Sequence, residues 1–152
     1  MASPVISTPP AEPPLVTRLV REGGAARLDD ASVDSFVAQA GATVLFFTED
    51  PMRVKETLDL AVILPEIAKA VPERLRMGVL PPPLANARAA QFNVRRWPAL
   101  VFLRDGGWLG NIEGLRDWTD YVEAATTLLA APARPVPKVI PISAPAVPGC
   151  GT

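Results

Sequence analysis

Glu49-Asp50-Pro51-Met52-Arg53, followed by Lys55, Glu56 and Asp59, is the densest run of chemistry-bearing side chains in the sequence. Carboxylates pair best with guanidinium groups in bidentate geometry, so such a run suits an arginine-bearing peptide. The other reading is a solvated loop entering a helix, whose dipole favours acidic residues in its first turn. Trp97, beside Pro98, is the second candidate: a large aromatic there either anchors a partner or covers the edge of a core. Chemistry beyond binding is narrow. There is no histidine and a single cysteine, Cys150. That excludes Ser-His-Asp and Cys-His catalysis, His-ligated metals, an intramolecular disulfide and a Cys-rich zinc cluster. No catalytic residue, metal ligand or cofactor is therefore assigned, and Cys150, among glycines with no basic neighbour to lower its pKa, is not a candidate nucleophile.

The 152 residues carry 15 Lys plus Arg against 16 Asp plus Glu, a formal charge of -1, which gives no electrostatic case for a nucleic acid or a membrane surface. A hydrophobic content of 49% and mean hydropathy of +0.21 support one domain with a sizeable core. Five of the 18 prolines fall in residues 1–14 and six in 132–152, whereas all nine aromatics lie between Phe36 and Tyr121. We therefore expect a domain over 15–131 between two flexible, Pro-rich tails, 1–14 and 132–152. The start, MASPVISTPPAEPP, has neither the basic n-region nor the apolar h-region of a secretory signal. No apolar stretch approaches the roughly 18 residues that cross a bilayer, so a cytoplasmic protein without membrane insertion is expected.

The elements that must position these residues follow from periodicity. Leu15 to Val20 reads as a weak strand or lead-in, broken at Gly23-Gly24. Val33, Phe36, Val37 and Ala40 recur at helical spacing behind Asp30 and Ser32 as possible caps, a helix of about three turns closed by Gly41. Thr43 to Phe47 is a β-branched and aromatic run typical of a strand buried on both faces. Leu60, Ile63, Leu64, Ile67 and Val71 give a second helix, convincing from about Leu58 and expected to bend or break at Pro65. Leu75 to Leu80 is a strand stopped by Pro81-Pro82-Pro83, and Leu84 to Phe92 a short helix. Ala99 to Leu103, the turn Asp105-Gly106-Gly107 and Trp108 to Glu113 form a hairpin. A last helix capped by Asp117 presents Trp118, Tyr121, Val122, Ala125, Leu128 and Leu129 on one apolar face. Helices between early strands imply parallel crossovers, so a mixed sheet with helices on both faces follows.

That order resembles thioredoxin. The strand ending at Phe47 with the helix segment ILPEIAKAV, the segment FNVRRWPALVFLRDGG (92–107), and Gly114 before a helix near Trp118 resemble the corresponding thioredoxin parts over roughly Leu28 to Leu129. Where thioredoxins carry two cysteines this chain has Thr48 to Arg53, so dithiol exchange is absent. Among such cysteine-less relatives it is most similar to the HyaE/HupG hydrogenase-maturation proteins, through Asp50-Pro51, Phe92 to Ala99, and Gly114-Leu115 with Trp118. The resemblance implies a cis bond before Pro98, with the preceding backbone free to pair with an extended peptide and Trp97 facing the Glu49 to Arg53 loop. It equally allows that this turn is only a fold requirement.

The resemblance further implies a non-catalytic chaperone for the small subunit of a nickel-iron hydrogenase, binding the precursor's twin-arginine signal peptide before export, with other hydrogenase accessory proteins as further partners. Glu49, Asp50, Pro51, Arg53, Glu56, Asp59, Trp97 and Pro98 are then the expected contact residues. Arg95 and Arg96 either count against an acidic groove or orient its carboxylates. The alternatives are a glutathione-using enzyme of the same fold, in which the cofactor supplies the thiol, and a structural adaptor subunit.

Overall fold

A computed structural model describes residues 12–136. Helix α1 (Pro14–Arg21) occupies the segment expected to be a strand. Pro14, with its fixed φ and no N–H to satisfy, suits a first helical turn, and Val16 and Leu19, three apart, bury one face. Six apolar-rich residues were too few to separate a period of 2 from one of 3.6. The domain also begins before residue 15: Arg27 Nε donates to Glu12 Oε1 at 2.7 Å and Thr17 Oγ1 to Glu12 Oε2 at 2.6 Å.

Strand β1 (Ala26–Arg27) is short, and helix α2 (Val33–Ala38) ends earlier than expected because Gln39 is already extended. Its entry is fixed by Asp29 rather than Asp30. The Ser32 N–H donates to Asp29 Oδ1 at 2.9 Å and the Asp29 N–H to Ser32 Oγ at 3.0 Å, a reciprocal pair that fixes the helix entry. Asp30 instead accepts from Arg88, 3.0 Å away.

Strand β2 (Ala42–Phe47) is buried throughout. Helix α3 (Glu56–Ala70) starts two residues before the expected Leu58 and runs through Pro65 without a break. Pro65 removes one N–H donor, and Leu60, Leu64 and Ile67, all fully buried, hold the helix against the sheet on either side of it. Strand β3 (Leu75–Leu80) leads directly into helix α4 (Pro82–Arg88), whose first positions are the prolines read from sequence only as a strand stop. Strands β4 (Ala99–Arg104) and β5 (Gly107–Glu113) form the expected hairpin, and helix α5 (Trp118–Ala130) closes the domain.

The sheet order is β1-β3-β2-β4-β5, with β1, β3 and β2 parallel and β4 and β5 antiparallel to their neighbours. Alternation along β2 sends Val44 and Phe46 to a layer with α1, α3 and α5, and Leu45 and Phe47 to one with Val33 and Phe36 of α2 and Ala85 of α4. On this second face Gly78 is needed for its lack of a side chain. A Cβ there would lie 2.7 Å from the Phe36 ring and 2.9 Å from Leu28.

Two expectations at the C-terminal end change. Trp118 is 47% exposed rather than part of the apolar face, which Tyr121, Ala125 and Leu129 supply; Asp117 stands at the cap position without donating or accepting a side-chain bond there. Domain contacts also continue past residue 131. Arg134 exchanges backbone hydrogen bonds with Trp108 (2.6 and 2.9 Å) and lays its guanidinium 4.6 Å from the Trp108 ring. The rest of both expected tails, Cys150 included, lies outside the described residues.

Candidate functional site

The parallel strands β2 and β3 end together, Phe47 paired with Leu80, so the Thr48–Arg53 loop and Pro81–Pro83 leave the sheet side by side. Thr48 ties them, its N–H (3.2 Å) and its hydroxyl (2.7 Å) both donating to the Leu80 carbonyl. The carboxyl end of parallel strands is where open α/β sheets leave a crevice. Here the N-terminal turn of α1 completes it: Pro13 and Val16 form a further wall of a groove of about 450 Å³.

Inside the loop the two leading carboxylates have different tasks. Asp50 Oδ1 accepts the Met52 N–H at 2.9 Å, and its carbonyl accepts the Arg53 and Val54 N–H groups at 2.8 and 2.9 Å, so Asp50 shapes the turn. Glu49, only 8% exposed, lines the groove. Its Oε1 accepts the Asp50 N–H at 2.8 Å, while Oε2 has only Asn86 Nδ2 at 3.2 Å and the exposed Arg53 at 3.9 Å. Thr57, fully buried, also lines the groove, and its hydroxyl has no hydrogen-bond partner among the described residues.

Trp97-Pro98 lies on the other side of the same loop. β4 is antiparallel to β2 with Ala99 opposite Phe47, which brings Pro98 beside Thr48 at this end of the sheet. The Trp97–Pro98 bond is cis. The Pro98 carbonyl accepts the Gly114 N–H at 2.8 Å, whereas the N–H and C=O of Trp97 have no backbone partner among the described residues. The Trp97 side chain is half-buried against the second apolar layer rather than presented outward, with its indole N–H buried and unpaired.

Of the eight expected contact residues, Glu49, Asp50, Pro51 and Arg53 therefore share the groove, and Trp97 and Pro98 adjoin it across β2. Glu56 and Asp59 do not line it. They stand in the first turns of α3, Asp59 near enough to Tyr121 for its charge to help burial raise that phenol's pKa. Arg95 and Arg96 orient no carboxylate of the loop. Their backbone N–H groups donate to Glu113 Oε1 at 3.4 and 3.1 Å and both residues are exposed.

Sequence reasoning missed Glu12, Val16, Thr57 and Pro81–Pro83: the parallel register sets only the prolines beside the loop, and the packing of the α1 segment and α3 brings in the rest. It also missed an exposed apolar set. Met52 is 90% exposed, and Leu115 and Trp118 are each 47% exposed on the segment after β5. Hydrophobic spacing marked Trp118 as core, yet at the first position of α5 it precedes the turn that packs on the sheet. Around the rim, Arg27 bonded to Glu12 holds that carboxyl below the usual range.

Residues 15–121 match the family described as "Hydrogenase-1 expression protein HyaE". The chain belongs to the HyaE family. It is 39% identical over 140 residues to the hydrogenase expression/formation protein HoxO of Cupriavidus necator, covering 90% of this chain and 87% of that one. It is 38% identical over 119 residues to the hydrogenase expression/formation protein HupG of Rhodobacter capsulatus, with 78% and 86% covered. A mutant thioredoxin from Halobacterium salinarum superposes with a TM-score of 0.57 over 77% of this chain and 94% of its own, at 15% identity. The fold of this HyaE-family chain is thus thioredoxin-like, and the Thr48–Arg53 loop stands in it without a cysteine.

Proposed function

We propose that this protein is a non-catalytic chaperone of nickel-iron hydrogenase maturation that holds the small-subunit precursor by its twin-arginine signal peptide in the cytoplasm, before export. Membership of the HyaE family and the names of its relatives support a role in hydrogenase maturation. The observation that carries the finer reading is the unpaired backbone of Trp97, set between two unlike flanks. On the β2 side stands the Glu49 carboxylate; on the β5 side, joined through the Gly114–Pro98 bond, stand Leu115 and Trp118.

An extended segment pairing with Trp97 would meet carboxylate at one end and apolar surface at the other. A signal peptide has that polarity, a cationic start followed by an apolar run.

Retention of the precursor by the purified protein tests this. We expect the full precursor to be retained and the same subunit lacking its signal peptide to be lost. Equal retention of both forms removes the signal-peptide part of the proposal.

A further inference from the structure

We infer that the groove between the Thr48–Arg53 loop and the β3–α4 junction is a pocket for one guanidinium side chain of the bound segment, with Glu49 and Thr57 as its acceptors. The inference rests on the peptide-binding reading above and adds a site to it.

Three observations converge. Glu49 is nearly buried, yet one of its carboxylate oxygens, Oε2, has only a 3.2 Å bond from Asn86 and a 3.9 Å approach from the exposed Arg53. Thr57 is a wall residue of the same groove, and its hydroxyl is buried there without a partner among the described residues. A buried hydroxyl without a partner is unfavourable, so a site that keeps one is expected to be completed by a ligand. The walls, Val16, Pro81 and Pro82, are apolar and suit the methylene stem and flat face of an arginine.

Charge selects the same ligand. Arg53 is the sole cation lining the groove among the described residues, and its guanidinium is largely in solvent, so an incoming cation displaces a weak surface contact. Two acceptors on different elements favour the broad planar fork of arginine over the compact ammonium of lysine. A carboxylate-bearing side chain would be repelled at Glu49, and a neutral donor would make a weaker bond there than a guanidinium.

The test measures anisotropy of a fluorescent twin-arginine signal peptide with the full-length protein, beside thermal unfolding of each variant. Thr57→Val keeps the volume but removes the hydroxyl; we expect about threefold to tenfold weaker binding with unchanged or raised thermal stability, because an unsatisfied polar group has gone. A purely structural threonine would lose both together. Glu49→Gln should weaken binding about tenfold or more, and exchanging each peptide arginine for lysine should weaken binding to the wild type but much less to Glu49→Gln. Thr57→Ser, which keeps the hydroxyl, should bind nearly as the wild type. If the wild type binds the peptide and both Thr57→Val and Glu49→Gln bind it within about twofold, the pocket is wrong and the peptide reading survives. If the wild type does not bind the peptide, both fall.

Discussion

Gly114 donates its N–H to the carbonyl of Pro98 across 2.8 Å, one step beyond the last β4–β5 pair, Ala99 with Glu113. This bond extends the sheet to Pro98 and stops there, leaving the Trp97 backbone as the first unpaired group, while the chain after Gly114 leads into the exposed Leu115 and Trp118. Gly114 adopts a positive φ of 78°, open to glycine at no steric cost, and the Tyr121 hydroxyl donates to its carbonyl at 3.1 Å.

The exposed pair on this edge gives the first prediction. Leu115→Ser with Trp118→Ala removes side chains that are each about half in solvent, so only part of their burial is lost and the unfolding free energy in urea should fall by about 1–3 kcal/mol, leaving the fold intact. Binding of the precursor should weaken about tenfold, a typical loss for an aromatic anchor. Undiminished binding would remove these residues from the contact surface.

Tyr121→Phe deletes the donor to the Gly114 carbonyl while keeping the buried ring. Loss of one such bond should cost about 1 kcal/mol in urea unfolding. The same variant should speed hydrogen exchange at the Gly114 amide, since the turn loses its anchor.

Gly78→Ala should destabilise by about 1–3 kcal/mol, because its methyl would press on Phe36 and Leu28 in a packed layer. Adding Phe36→Leu should recover part of that loss. A neutral single variant would show that this layer is looser than the contacts describe.

Acid should weaken the fold through Glu73. Arg104 bonds both its oxygens, Nη1 to Oε1 at 2.9 Å and Nη2 to Oε2 at 2.7 Å, which holds the Glu73 carboxyl below its ordinary value; Arg104 also donates to the Leu129 carbonyl. A carboxyl depressed in the folded state stabilises above its unfolded pKa, and that contribution is lost as pH falls through the folded value. Both side chains are about one-third exposed, so the pair is worth at most about 1 kcal/mol. The melting difference between wild type and Glu73→Gln should be present at pH 7, begin to shrink as pH falls through the unfolded glutamate value of about 4.3 and vanish below the lower, folded value.

Strong periodicity and composition made most elements legible: the all-apolar Val44-Leu45-Phe46-Phe47 run, the hairpin around Asp105-Gly106, and α3 and α5 all stand near their expected places. Errors arose where one residue type serves two purposes. Pro14 read as the end of a flexible tail and Pro82 and Pro83 as a strand stop, yet each stands in the first turn of a helix, which has spare N–H positions to omit. Pro65 read as a bend or a break, and the helix does not break: tertiary burial on both sides of it prevailed over one missing bond. The acidic loop was visible, but its division into a turn-forming Asp50 and a groove-lining Glu49 depends on hydrogen bonds that no spacing encodes. Thr57, a single hydroxyl inside an apolar helix face, gave no signal until its lack of a partner was apparent.

The most direct measurement of the central claim is hydrogen exchange of the protein alone and with the hydrogenase small-subunit signal peptide. Binding at the Trp97 edge predicts new protection at the Trp97 amide and across residues 49–54, with α2 and the α4 C-terminus unchanged. Peptide binding that leaves the Trp97 amide exchanging at its free rate would contradict it.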